Sequence, residues 1–338
     1  MVLVPGMFGS RLADGAGRLL WGNVARLYFG PPIATAAGVR PAGLLEELPL
    51  FPGLSVDVHG RLIRTLERAG GYRRGKDLFL FDHDWRTGVE EAAGRLRELV
   101  ARLRGAGDGR VDLVGVSTGG LVIRHFLLQA HAWARRVVYV GVPHRGTFDA
   151  LASLHRGFRF APGGKLFSPD EGAGCQTTWD ALPHPDEPVF CDEEGGPLPL
   201  DLYDAALWEE LGLTRQARRI VEPSLASALR AHRALDAAPS PPGDSYVIGA
   251  THLPTPHRAV VGKGGAWIPP PKAPAGDRRA RFGYASGDGE LPEASLRALP
   301  GLAPERVWLA RPARHGKLPS DPDVHARILE ALRGEPRA

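Results

Sequence analysis

The sequence predicts an α/β fold with a mainly parallel central sheet flanked by helices and a cap or lid insertion. Three observations carry that expectation: short apolar runs rich in β-branched residues that alternate with helical patterns, a long amphipathic helix between two such runs, and a glycine-bracketed serine at a strand-to-helix corner. Such alternation favours parallel strands, because each needs a crossover to reach the next and strands covered on both faces read as continuous apolar runs.

The runs are Val2 to Val4, Leu78 to Phe81, Val111 to Val114, Val137 to Val140, Tyr246 to Ile248 and Val307 to Leu309. Between the second and third, Val89, Ala92, Ala93, Leu96, Leu99, Val100 and Leu103 follow the three-four spacing of one buried helix face. Thr87 and Glu90 are expected to form its capping box. A right-handed crossover through this helix delivers Val111 to Val114 as the next parallel strand. That run leads into Gly115-Val116-Ser117-Thr118-Gly119, and Leu121 to Gln129 then reads as a helix. Ser117 therefore sits at a sharp corner at the carboxyl end of a central strand, where open α/β sheets place their ligands. The competing reading is a glycine-rich turn whose serine merely caps the helix.

The 338 residues are 43 % hydrophobic and sufficient for a full core, and 43 glycines with 31 prolines point to many loops on a compact scaffold. The 42 basic and 38 acidic side chains are interspersed, so a net charge of +4 gives no nucleic-acid signature and at most a mild attraction to anionic lipid. Cys175 and Cys191 are too few for a disulfide framework or a zinc site, and free thiols are expected. No basic n-region with a long apolar stretch follows Met1, and no run approaches a membrane span, so a cytoplasmic location is the default expectation.

Strand alternation stops between about Ala150 and Gly243. The expected division is a core from 1–149 and 244–338, a cap insertion over 150–243, and a small lid segment within 19–55 whose Leu20, Trp21, Leu27, Tyr28 and Phe29 read as packing residues. Proline clusters at Pro239 to Pro242 and Pro269 to Pro274 mark loops.

A serine hydroxyl becomes a nucleophile only when a base takes its proton and an acid orients that base. For a corner of this kind the acid and then the histidine follow the serine, on loops after later strands. Of the twelve histidines, that order sets aside those before Ser117 and His125 in its own helix. Asp288, in the glycine-flanked loop Gly283 to Gly289, and His315, after the last strand pattern, are the resulting candidates. An Asp-Gly turn and a surface histidine are their bland alternatives. His325 falls in a terminal helix pattern, Asp323 to Leu332, and reads as exposed packing. An oxyanion site needs two aimed N–H groups. Thr118 offers one, and the loop Pro5 to Gly9 after the first strand offers the other, with Met7 the chosen donor.

These motifs together resemble the lecithin:cholesterol acyltransferase-like family of α/β-hydrolases, which includes lysosomal phospholipase A2-type enzymes and many bacterial relatives. The resemblance rests on LVPGMFGSRL at the N-terminus, DHDWR ending at Arg86, GVSTGG around Ser117, GVPHRGT at 141–147, ALP ending at Pro183, PLDLYD with Trp208, YVIGATHLPTP at 246–256 and GDGELP at 287–292. It implies an α/β-hydrolase fold, Ser117, Asp288 and His315 as a triad, and Met7 and Thr118 at the oxyanion hole. Val116 and Thr118 depart from it, standing where the family usually has His and then Met or Leu.

The expected activity is that of a serine acyl hydrolase or O-acyltransferase acting on an ester of a lipid or other apolar acyl donor, through an acyl-serine. Phe8, Trp179 and Phe190 are the candidate acyl-chain contacts. No metal or organic cofactor is expected. The expected partners are the ester or lipid substrate and transient contact with a lipid surface. A soluble esterase for small esters and a catalytically silent binding module of the same fold are the alternatives.

Overall fold

The apolar runs become the strands of one six-stranded sheet. In this computed structural model, which describes residues 1–23, 26, 30, 32–51, 54–105, 109–159, 166–310 and 312–335, the strands are β1 (Val2–Val4), β2 (Phe79–Leu80), β3 (Val111–Val116), β4 (Ala134–Val140), β5 (Asp244–Ala250) and β6 (Val307–Ala310). Their order is β6-β5-β4-β3-β1-β2, and every neighbouring pair is parallel. The crossover from β2 does not place β3 beside it as expected, because β1 lies between and pairs with both.

Both faces of the sheet are buried, which is why its strands lack polar alternation. On one face Val2, Val4, Leu113, Val137, Tyr139 and Val247 pack with helices α2 (Val89–Arg104), α3 (Thr118–Ala130) and α5 (Arg218–Asp236). On the other, Leu3, Val114, Val116, Val138, Val140 and Ile248 meet α1 (Gly60–Arg68) and α6 (Pro322–Arg333). Neighbours along one strand thus serve opposite cores, as the two-residue period of a strand requires.

Helix α2 starts where the periodicity places it, but Thr87 and Glu90 do not form a capping box. Gly88 is the cap residue, at φ 100°, and Thr87 Oγ1 turns back to donate to Asp84 O at 3.1 Å. The amide of Val89, which has no acceptor within the helix, is satisfied from another segment, donating to Asp180 Oδ2 at 2.8 Å.

Segment 19–55 carries more strand than its composition suggests. Ser10–Ala13 pairs antiparallel with Leu19–Trp21 and with Arg40–Leu44, and Glu47–Phe51 pairs with Leu54–Asp57. Pro41 and Pro49 and the register shifts at these ladders hide the alternation, since proline is tolerated only on edges and a bulge breaks the period. Leu20 and Trp21 pack with Leu12, Leu45 and Trp85, while Leu27, Tyr28 and Phe29 lie outside the described residues.

The stretch from Phe148 to Asp236 is mainly short helices, opened by α4 (Phe148–Arg156) and closed by α5. It has its own apolar cluster, built on Phe148, Leu151, Leu154, Trp179, Leu182, Phe190, Trp208 and Leu225. Cys175 and Cys191 are buried free thiols.

Candidate active site

The end of β3 sets the geometry of the site. Ser117 stands between β3 and α3 at φ 53° and ψ −131°, one of three non-glycine residues with positive φ among those described. Such backbone strain, of order 1–3 kcal/mol, persists only where the surroundings impose it. Here the Ser117 amide donates to Val140 O at 2.9 Å and Gly120 N donates to Ser117 O at 2.9 Å. The following turn lies against β1: a methyl group on Gly119 would come 2.4 Å from Val4 O. Ser117 makes no side-chain capping bond to α3, so the helix-cap alternative fails and the hydroxyl remains for another partner.

That partner comes from 198 positions away: Ser117 Oγ is 3.0 Å from His315 Nε2. His315 follows β6 and opens the turn His315–Ser320, and its amide donates to Asp288 O at 3.0 Å. Its Nδ1 lies 2.8 Å from Asp288 Oδ2. A carboxylate accepts only, so Nδ1 carries a proton, and in the neutral form of the ring Nε2 offers its lone pair to the serine hydroxyl. Asp288 is wholly buried, and its second oxygen accepts from Glu290 N at 3.0 Å and Leu291 N at 2.7 Å. The carboxylate is fixed in place by three donors.

Burial acts to lower the pKa of His315. The Asp288 and Glu290 charges, the Asp288 hydrogen bond and the Asp149 charge outweigh it and raise the value to about 9. Asp149 and Glu290 are site residues the sequence reading did not single out. Both stand beside Thr147, whose Oγ1 donates to Glu290 O at 2.5 Å and accepts from Asp149 N at 3.1 Å, capping α4. The sequence signal for them is that Glu290 lies within GDGELP and Asp149 stands two residues after GVPHRGT.

The structure also places the other sequence candidates. Thr118 is the first residue of α3, and Met7 in the loop after β1 reaches it: Met7 N donates to Thr118 Oγ1 at 2.8 Å. Phe8, half-buried at φ 67°, stacks among Trp21, Trp85, Phe158 and Phe167 with ring centroids 4.6 to 5.3 Å apart. Trp179 and Phe190 are fully buried in the second apolar cluster, where neither presents ring surface to a ligand. His125 is buried in α3 with its pKa lowered to about 4 by desolvation and by Arg124. His325 is not exposed as expected: it is 5 % exposed, with Nε2 2.8 Å from Pro319 O and Nδ1 3.0 Å from Thr65 Oγ1. Its helix is pinned there against α1 and the turn after His315.

His184, Asp186 and Asp236 lie close enough together to suggest a metal site, but their chemistry is that of an ion-pair network. His184 Nδ1 accepts from Arg145 Nη2 and Asp186 N, its Nε2 faces Asp236, and Arg233 pairs with both carboxylates. Two guanidiniums occupy the place a cation would need. Among the described residues no helix is long and apolar enough to cross a membrane.

A parallel sheet flanked on both faces by helices, with a strained serine at the end of a central strand, defines the class: the chain has an α/β-hydrolase fold. Residues 39–162 match the sequence profile of the lecithin:cholesterol acyltransferase family. Among solved structures, a chain of the Tle4-Tli4 complex aligns with a TM-score of 0.66 at 13 % identity, covering 98 % of this chain and 97 % of that one. The mature form of the Bacillus licheniformis lipase BlEst2 aligns with a TM-score of 0.41 at 15 % identity, covering 93 % and 84 %. No curated protein matches significantly in sequence.

Proposed function

We propose that this protein is a serine acyl hydrolase or O-acyltransferase that cleaves an ester of a lipid or other apolar acyl donor. The observation that carries this reading is the unbroken path from Asp288 Oδ2 through His315 to Ser117 Oγ, at 2.8 and 3.0 Å. In it, His315 Nε2 takes the proton as Ser117 Oγ attacks the ester carbonyl carbon, and Asp288 holds the imidazole in the required tautomer. The tetrahedral intermediate collapses as His315 returns the proton to the departing alkoxide, leaving an acyl-Ser117. Water or an alcohol, deprotonated by the same histidine, then attacks that acyl group. Thr118 and Met7 border the position of the oxyanion. Phe8 and the aromatic side chains packed on it supply apolar surface beside Met7, the feature that favours an apolar acyl group. The segment 150–243 serves as a cap above the sheet, and 19–55 contributes a small lid.

A fluorophosphonate probe tests this reading. It should form a covalent adduct at Ser117 and abolish hydrolysis of a p-nitrophenyl ester, and Ser117→Ala should neither label nor turn over beyond a residual level. Absence of labelling in the folded wild type would make the chain a silent binding module. A chain-length series of esters, with and without lipid interface and added alcohol, separates the lipid, small-ester and acyl-transfer readings.

A further inference from the structure

The sequence assigns the second oxyanion donor to the Met7 amide, but in the folded chain that hydrogen is already used. Met7 N donates to Thr118 Oγ1 at 2.8 Å. An amide nitrogen carries a single hydrogen, whereas a hydroxyl has one donor and two acceptor sites. With one lone pair of Thr118 Oγ1 taken by Met7, the hydroxyl's own proton is left to donate.

Its position limits where that proton can go. Thr118 directly follows Ser117 and is 7 % exposed. A threonine inside a helix returns its proton to the carbonyl three or four residues back. For Thr118 those residues are Gly115 and Val114, which belong to β3 and not to a preceding helical turn. As the first helical residue, Thr118 also has a backbone N–H with no intrahelical acceptor, at the end of α3 that favours negative charge. Its N–H and O–H are thus donors on one residue beside the nucleophile, and the Met7 bond polarises the hydroxyl in the direction that strengthens its donation.

We propose that Thr118 supplies both its backbone N–H and its side-chain hydroxyl to the tetrahedral oxyanion, and that the Met7 amide orients this hydroxyl without contacting the oxyanion itself. The assignment rests on Ser117 being the nucleophile. It makes the hydroxyl at position 118 part of the catalytic machinery, where a Met or Leu side chain would leave the Met7 amide to do the work.

The experiment compares Thr118→Val, which keeps the branched shape and removes the hydroxyl, with Thr118→Ser, which keeps the hydroxyl, in the full chain with folding checked by circular dichroism. Thr118→Val should lower kcat for a p-nitrophenyl ester by about 10²- to 10³-fold with KM little changed, and Thr118→Ser should stay within about tenfold of wild type. A trifluoromethyl ketone, which forms a hemiketal oxyanion on Ser117, should lose affinity for Thr118→Val by a similar factor. The matching methyl carbinol, which forms no oxyanion, should bind as before. Wild-type or faster turnover by Thr118→Val would return the role to Met7 and overturn the proposal. So would equal losses in both variants, since packing alone then explains them. Ser117→Ala, measured alongside, separates the two levels. If it retains turnover the nucleophile assignment itself fails; if it is inactive while Thr118→Val is fully active, only the hydroxyl's role fails.

Discussion

Gly6 and Ser117 are in such close contact that a methyl group on Gly6 would stand 2.8 Å from Ser117 Cβ and 2.9 Å from Val116 O. The loop after β1 therefore rests directly on the corner that carries the serine. Real Cβ contacts do not come this close, so Gly6→Ala must displace either the loop or Ser117. Misplacing a nucleophile by a fraction of an ångström to 1 Å costs up to about 10²-fold in rate. Gly6→Ala should lose turnover on that scale and label slowly with fluorophosphonate while still melting cooperatively. Wild-type turnover would show that the contact is relieved without touching the serine.

His315 and His325 should separate cleanly. His315→Ala removes the group 3.0 Å from Ser117 Oγ and should suppress acylation by several orders of magnitude with little loss of secondary structure. His325→Ala removes two hydrogen bonds from a buried position and should cost about 1–3 kcal/mol of stability, with kcat unchanged once folded. Urea denaturation and ester turnover on the two variants check this. Loss of turnover in a folded His325→Ala would move the base to that helix.

As the proposed base, His315 must be neutral to accept the serine proton, and three carboxylates hold its pKa up to about 9. The acid limb of kcat/KM should accordingly lie well above the ordinary histidine value of about 6.5, with activity rising into alkaline solution. Glu290→Gln removes one of those charges and should move the limb to lower pH. An unmoved limb would show that Glu290 does not act on the imidazole. The same raised pKa favours the fold most below the unfolded value, and that contribution disappears as pH rises through about 9.

Chain-length selection should depend on Phe8 and not on Trp179 or Phe190. Trp179→Ala and Phe190→Ala each empty a fully buried site, so they should destabilise by about 3–5 kcal/mol and slow short and long esters alike. Phe8→Ala should flatten the preference for long acyl chains more than it slows a two-carbon ester. Michaelis parameters across an acyl series read this directly, and a flattened preference in folded Trp179→Ala would instead place that ring in the acyl path.

The sequence alone determined the six sheet strands, helix α2 and the serine corner, because each is a local pattern: a continuous apolar run, a three-four periodicity, a turn that tolerates only small residues. Chain order together with flanking glycines was enough to nominate Asp288 and His315. Their approach to Ser117 was not local, and only the packing of β5 and β6 beside β4 brought the two loops to the end of β3. Tertiary structure also decided the features that local patterns misplace. Asp180 caps α2 where Thr87 seemed suited, because a buried carboxylate can reach an amide 91 positions away. Prolines and bulges concealed the small sheets within 10–57, where edges tolerate them. Trp179 and Phe190 look the same in sequence whether they face a ligand or a core, and burial is a property of the neighbours they meet. Thr118 shows the same limit at the scale of one hydrogen bond: its sequence position says nothing of the Met7 amide that donates to its Oγ1, a contact made across 111 positions.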